Sequence, residues 1–290
     1  MEDFLKQLKQ MKAKRIFIQY PEGLKTKIKE IGKQLEKEGF ETVICCEPVF
    51  GACDIRDIEA KRLECDAILH IAHTDFGLKS DLPVVYWDYF FDVDPIPILK
   101  KEFKKIENYN TIGIFTSLQY MSAMKKVKEF LESKGKKVLV EKSEKYEGQV
   151  LGCRIQVAIK LKDKVDCFLY VGAGKFHPLG VALSTDLPVF SLDLEKNEIL
   201  NLENEKMKYL KKKAWHDEEL KNAKTVALIV SWKKGQNRIK EAFELKKELE
   251  RKGKEVYILA LDAYSKDKII GMKFDAIVSM LCPRMDDEIL

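Results

Sequence analysis

The sequence predicts an α/β protein in which strands and helices alternate through three tandem, pseudo-equivalent units with parallel sheets. Three observations predict this class. The chain repeats itself with a period of about 100 residues. Each copy places a glycine between a helical and an extended segment, and each sets an aspartate at the head of a later apolar strand.

The segments QLEKEGFETVI (Gln34 to Ile44), FLESKGKKVLV (Phe130 to Val140) and ELERKGKEVYI (Glu248 to Ile258) align without gaps. They share Leu35, Glu36 and Gly39; Leu131, Glu132 and Gly135; Leu249, Glu250 and Gly253. A glycine here ends a helix in the left-handed conformation, and the apolar run after it reads as a strand. Upstream, Ile28, Ile31 and Leu35, then Met124, Val127 and Leu131, then Ala242, Leu245 and Leu249 fall on one helical face in each copy. Short apolar strands precede those helices at RIFIQ (Arg15 to Gln19), TIGIF (Thr111 to Phe115) and TVALIV (Thr225 to Val230). Later strands follow Asp66, Asp166 and Asp275.

Strand, helix and strand in alternation imply right-handed crossovers, hence three Rossmann-like or flavodoxin-like domains arranged around a central site. The expected divisions are 1–95 with Cys53, 96–205 with Cys153 and 206–290 with Cys282. They fall at the Pro-bearing DVDPIPI (Asp92 to Ile98) and the charged stretch Asn201 to Lys213.

Composition narrows the function. With 46% apolar residues the chain builds real cores and is not disordered. The 52 basic and 47 acidic residues leave a net charge of only +5, and just seven of the basic residues are Arg. That balance argues against direct nucleic-acid binding. No apolar stretch approaches the roughly 18 residues that span a bilayer, and the first twenty residues lack a signal peptide's apolar core, so a cytoplasmic protein without membrane contact is expected. Seven cysteines in a reducing compartment point to metal or redox chemistry before disulfides.

In open parallel sheets ligands gather beyond the carboxyl ends of the strands. Cys53 in FGACD, Cys153 in LGCR and Cys282 in LCPR fall in such loops, one per repeat. Cys45, Cys46, Cys65 and Cys167 lie in or beside apolar strands and read as core thiols. Three thiolates suit a soft metal centre with one coordination position left open. Zinc sites usually close with four ligands at short spacing, and no CxxC occurs here, so a 4Fe-4S cluster fits better than zinc. Distance along the chain proves no proximity, and a zinc-stabilised or nucleotide-binding α/β module without catalysis stays open as an alternative.

The segments IQYPEGLK (Ile18 to Lys25), VFGACDI (Val49 to Ile55), LGCR (Leu151 to Arg154), VGAGKFHPLG (Val171 to Gly180), WKKGQ (Trp232 to Gln236) and LCPR (Leu281 to Arg284) resemble, in order, the motifs of the diphthamide synthase family, the 2-(3-amino-3-carboxypropyl)histidine synthases. The likeness runs over essentially the whole chain. It implies a noncanonical radical enzyme in which Cys53, Cys153 and Cys282 hold a 4Fe-4S cluster, through which catalysis runs. The cluster would reduce S-adenosylmethionine, and the 3-amino-3-carboxypropyl group would pass to the imidazole C2 of a histidine in elongation factor 2, leaving methylthioadenosine. The likeness also implies a homodimer, an external electron donor, and Gln236 among the residues at the cosubstrate. A quinolinate synthase, which also resembles a triplicated α/β fold with one cluster cysteine per domain, is the alternative enzyme.

Other residues can be weighed by their chemistry. Arg284 beside Cys282 suits the amino-acid end of the cosubstrate. Gly172 and Gly174 would let the backbone approach its nucleoside, with His177 alongside. His177 stands where a GxGxxG motif needs its third glycine, so no dinucleotide site is indicated. His73 and His177 fall on the expected active face, as proton acceptors or as rings bonding a loop carbonyl. His70 reads as strand core, His216 as a solvated helix position, and the Lys-rich Tyr209 to Lys213 as a solvated face.

Overall fold

The segments RIFIQ, TIGIF and TVALIV each become an interior strand of a separate sheet. The computed structural model describes residues 2–143, 145–151 and 153–282. Contacts divide the chain into two units, Met1–Tyr89 with Trp232–Asn237, and Phe90–Ser231 with Arg238–Leu290.

The first unit opens with helix α1 (Glu2–Gln10) and continues with β1 (Arg15–Gln19), α2 (Ile28–Lys37), β2 (Glu41–Ile44), α3 (Asp57–Arg62), β3 (Ala67–Ile71) and β4 (Val84–Trp87). Its four strands run parallel in the order β2-β1-β3-β4. Every residue of β3 is buried, the pattern of a strand covered on both faces. Phe17, Cys45, Ile55, Ala60, Cys65 and Ile68 form a core cluster on one side. Helix α2 buries Ile28, Ile31 and Leu35, as its period required. Phe4 of α1 stacks on Trp87 with ring centroids 4.5 Å apart.

The second unit carries α4 (Ile96–Glu102), β5 (Thr111–Thr116), α5 (Met121–Ser133), β6 (Lys137–Leu139), α6 (Gln156–Ile159), β7 (Cys167–Gly172), α7 (Phe176–Ala182), β8 (Val189–Asp193) and β9 (Glu198–Asn201). There follow α8 (Glu203–Asn222), β10 (Thr225–Ser231), α9 (Ile239–Arg251), β11 (Glu255–Leu261) and β12 (Ala276–Ser279). One sheet has the order β6-β5-β7-β8-β9, parallel except for β9, and the other the order β11-β10-β12, all parallel. The expectation of an α/β protein with mostly parallel sheets is met.

The repeat reaches down to single hydrogen bonds. Asp66 accepts the backbone N–H groups of Lys14 and Arg15 at 2.7 Å each. Asp166 accepts those of Asn110 and Thr111, and Asp275 those of Lys224 and Thr225. In each sheet, then, one carboxylate just before the third strand in chain order clamps the start of the first, β1, β5 or β10. Those N–H groups hold all three carboxyls below their ordinary value of 3.8.

The glycines do what their spacing predicted. Gly39, Gly135 and Gly253 sit at φ of +92°, +77° and +83°. Each donates its N–H to the carbonyl three residues back, and the next residue donates to the one before that: Gly39 to Glu36 and Phe40 to Leu35, Gly135 to Glu132 and Lys136 to Leu131, Gly253 to Glu250 and Lys254 to Leu249. This paired cap satisfies carbonyls a helix end would otherwise leave open.

Two expectations change. The charged stretch Asn201 to Lys213 is mostly helix, and residues 205 and 206 lie inside α8, a 20-residue helix with no buried residue. Its polar residues surround it on all sides, so it offers no apolar stripe by which to recognise it. Its His216 is half-buried, not solvated, 3.5 Å from Glu219.

Two tests follow. Gly135→Ala places a Cβ with no atom within 4 Å, so only the left-handed backbone resists it. Denaturant titration should show a loss of about 1 kcal/mol for Gly135→Ala and less for Gly135→Asn. For the three aspartates, ionisation is favoured in the folded chain. Their stabilisation is therefore complete above the unfolded carboxyl value and lost as pH falls through the lower folded value. Melting temperature measured against pH should fall in acid, and Asp66→Asn, Asp166→Asn and Asp275→Asn together should flatten that fall while lowering the neutral-pH melting temperature.

Candidate active site

Within the first unit, chemistry collects in the loop from β2 to α3. It holds exposed Phe50, half-buried Cys53 and the buried Asp54 and Arg56, and the buried Asp57 opens α3 directly after it. The segment Trp232–Asn237, which follows β10 in the chain, belongs to this unit and is fixed to that loop. Lys233 Nζ lies 2.5 Å from Asp54 Oδ2, with side chains only 3% and 2% exposed. Lys234 bonds Asp57 and stands 3.7 Å from Asp81. The N–H of Gly235 donates to the Cys53 carbonyl at 3.0 Å. Gln236 Nε2 donates to Cys53 Sγ at 3.5 Å.

These residues fit one another tightly. A Cβ on Gly235 would stand 2.6 Å from both the Cβ and the carbonyl oxygen of Cys53, so only glycine allows the approach. Gln19 at the end of β1 steadies the loop from beneath, donating to the Asp54 carbonyl at 3.0 Å and accepting from the Arg56 N–H at 3.1 Å. Arg56 Nε lies 3.8 Å from Asp54 Oδ1, and Lys233 Nζ sits 5.2 Å from the centre of the Phe50 ring. Burial by itself would raise the Asp57 carboxyl; bonds from Lys234 and the Asp81 N–H outweigh it and hold the group below its ordinary value. The same bond raises Lys234.

His70 and His73 form a second polar feature of this unit. His70 Nε2 lies 3.0 Å from His73 Nδ1, and its other ring nitrogen is buried without a hydrogen-bond partner. Burial, with the neighbouring His73, keeps His70 well below its ordinary pKa and hence neutral. It is strand core, as expected.

In the second unit the expected Cys153 is exposed and stands between the Leu151 carbonyl and the Arg154 N–H that bonds it at 2.7 Å. Cys282 is half-buried beyond β12. Gly172 ends β7, but what lies against it is the Tyr170 phenol: a Cβ there would meet the Tyr170 oxygen at 2.6 Å. The glycine is thus explained by packing. Gly174 differs, with φ +70° and open space where its Cβ would be. His177, in the first turn of α7, stacks on Tyr170 at 5.9 Å, its Nδ1 3.5 Å from the phenol oxygen. Burial raises the Tyr170 hydroxyl, which stays protonated and donates to Ser117 Oγ at 3.3 Å. Arg284 lies outside the described residues.

Of the expected site residues the structure therefore joins Cys53 with Gln236, and Gly172 with His177 through Tyr170. Among the described residues, no three His, Cys, Asp or Glu side chains form a group that could hold a metal ion. Cys45, Cys65 and Cys167 are buried as expected, but Cys46, two residues beyond the end of β2 at Ile44, is exposed. The sequence did not reveal Asp54, Lys233 and Gly235 as partners. Their one signal was that WKKGQ and VFGACDI both stood out as motifs. Among the described residues no helix is long and apolar enough to cross a membrane.

Mostly parallel sheets with thiols and polar side chains in their carboxyl-end loops define a class of α/β protein built for a ligand or cofactor at those loops. Comparison with known proteins gives the family. Residues 20–287 match the family model of the diphthamide synthesis proteins, and the chain belongs to that family. The 2-(3-amino-3-carboxypropyl)histidine synthase of Pyrococcus horikoshii is 34% identical over 287 residues, 98% of this chain and 82% of that one. That of Methanocaldococcus jannaschii is 31% identical over 298 residues, covering 95% and 80%. A crystal structure of Dph2 from Pyrococcus horikoshii with a 4Fe-4S cluster superposes with a TM-score of 0.87 at 33% identity, over 98% of this chain and 84% of that one.

Gly172→Ala tests the packing reading. Because the Tyr170 ring is buried and cannot swing clear, the variant should lose about 1–3 kcal/mol in denaturant titration. Gly174→Ala, with open space and only the backbone against it, should lose about 1 kcal/mol.

Proposed function

We propose that the chain transfers the 3-amino-3-carboxypropyl group of S-adenosylmethionine to C2 of a histidine imidazole in translation elongation factor 2, the first step of diphthamide formation. The observation that carries this is the alignment of 98% of the chain with a 2-(3-amino-3-carboxypropyl)histidine synthase, joined to the same coverage of a crystal structure that contains a 4Fe-4S cluster.

In this reading Cys53, Cys153 and Cys282 hold a 4Fe-4S cluster, one from each of three pseudo-equivalent domains. The donor set suits it. A cluster ligand must be a thiolate, and these three cysteines stand in loops, Cys153 exposed and Cys53 and Cys282 half-buried. Burial raises the thiols of Cys45 and Cys65 and pushes that of Cys167 up to about 12, which disfavours them as ligands. When bound, such a cluster supplies a low-potential electron for breaking a sulfonium carbon–sulfur bond.

The chain's own residues do the rest. Gly174 leaves room for the cosubstrate to approach the backbone, and Arg284 supplies a cation for its carboxylate. Gln236 lies against the sulfur of Cys53 and so borders both cofactor and cosubstrate. His177, its ring faced by Tyr170, takes the proton that leaves C2 of the target imidazole as aromaticity returns. The chemistry is radical in character, fed by an external donor, and the enzyme works as a cytoplasmic homodimer with no need for direct nucleic-acid contact.

Anaerobic reconstitution with iron and sulfide should load about four irons per chain, with broad visible absorbance. Cys53→Ala, Cys153→Ala and Cys282→Ala should each lower that figure and abolish turnover, and Cys167→Ala should leave the iron in place. Methylthioadenosine should form only with elongation factor 2 and a reductant both present. Full iron binding in all three loop variants would refute the ligand assignment.

A further inference from the structure

A buried charge pair with sequence partners this far apart calls for an explanation that general stability does not give. Lys233 and Asp54 are separated by 179 residues, and both side chains are almost wholly removed from water. Replacing such a pair with apolar residues is often neutral or stabilising, so the pair is poorly accounted for as a source of stability. What it does achieve is placement. Asp54 follows Cys53 directly, and Gly235 and Gln236 follow Lys233 within three residues. The pair therefore sets the backbone of Cys53 against that of Gly235, where the 3.0 Å hydrogen bond forms and no Cβ fits. It also brings the Gln236 amide to the Cys53 sulfur.

We infer that Lys233, Asp54 and Gly235 are positioning residues that lock the Cys53 loop in one conformation, and that Gln236 is a hydrogen-bond donor to the Cys53 sulfur that tunes the centre this cysteine ligates. The inference rests on the ligand role proposed above for Cys53. A loop tied by its own charges is preorganised before any metal arrives, so the ligand does not have to be ordered at the cost of binding energy. An N–H aimed at a ligating sulfur stabilises the more negative, reduced form of a cluster and so raises its potential.

The test begins with the metal-free, full-length protein. Native alkylation by iodoacetamide, followed for each cysteine by mass spectrometry, reports how firmly each loop is held. Lys233→Met should raise the Cys53 rate about tenfold relative to those of Cys153 and Cys282, since the loop opens more easily when its tie is cut. Lys233→Arg, which keeps the charge, should stay near the wild-type ratio. An unchanged ratio in Lys233→Met overturns the lock. If that variant does not fold, Asp54→Asn, which keeps the shape, provides the same readout. In the reconstituted protein, Gln236→Ala should move the cluster's midpoint potential to more negative values while the iron content holds, and an unmoved midpoint overturns the tuning role. Undiminished iron in Cys53→Ala would instead strike the proposed function and leave the alkylation result standing.

Discussion

The architecture depends on one carboxylate used three times. Asp66, Asp166 and Asp275 each accept two successive backbone N–H groups at the start of an interior strand. An uncapped pair of N–H groups at the start of such a strand would leave the end of the sheet to fray. With the amino ends fixed in this way, the strands deliver their carboxyl ends, and the loops after them, at a set height. Cys53 and Cys153 then emerge from the second strand of their sheets and Cys282 from the third strand of its own.

Much of this was legible because its causes are local. A glycine after an amphipathic run needs only its own φ to end a helix, and Gly39, Gly135 and Gly253 all adopt it. The helical faces of Ile28, Ile31 and Leu35 and of Met124, Val127 and Leu131 declare themselves by period and are buried. Leu245, expected on the same face of α9, is only half-buried, although Ala242 and Leu249 beside it are fully so. The aspartates could be seen as markers of a strand, but not as its clamps, because Arg15, Thr111 and Thr225, their partners within the strands, lie 50 to 55 residues earlier.

Where the sequence was silent, the cause lies in distance or in missing contrast. Helix α8 is polar on every side and so looked like a linker. Lys233 and Lys234 sit in a chain rich in surface lysines, and nothing local distinguishes the one that ends up buried. Gly172 was assigned to ligand approach when the crowding comes from Tyr170, two positions earlier on the same strand face. The likeness to a family named the right segments, WKKGQ among them, without saying that its glycine touches the backbone of Cys53.

The place of Trp232–Asn237 in the first unit also bears on how the protein is made. Residues up to Tyr89 leave the ribosome with Asp54 already in place, but its counter-charge is 179 residues behind. At about 5–20 residues per second, that interval lasts roughly 10–35 s. Through it the nascent loop holds an acidic group without the lysine that later pairs with it. Completion of the oldest part of the chain is thereby tied to the arrival of nearly the newest.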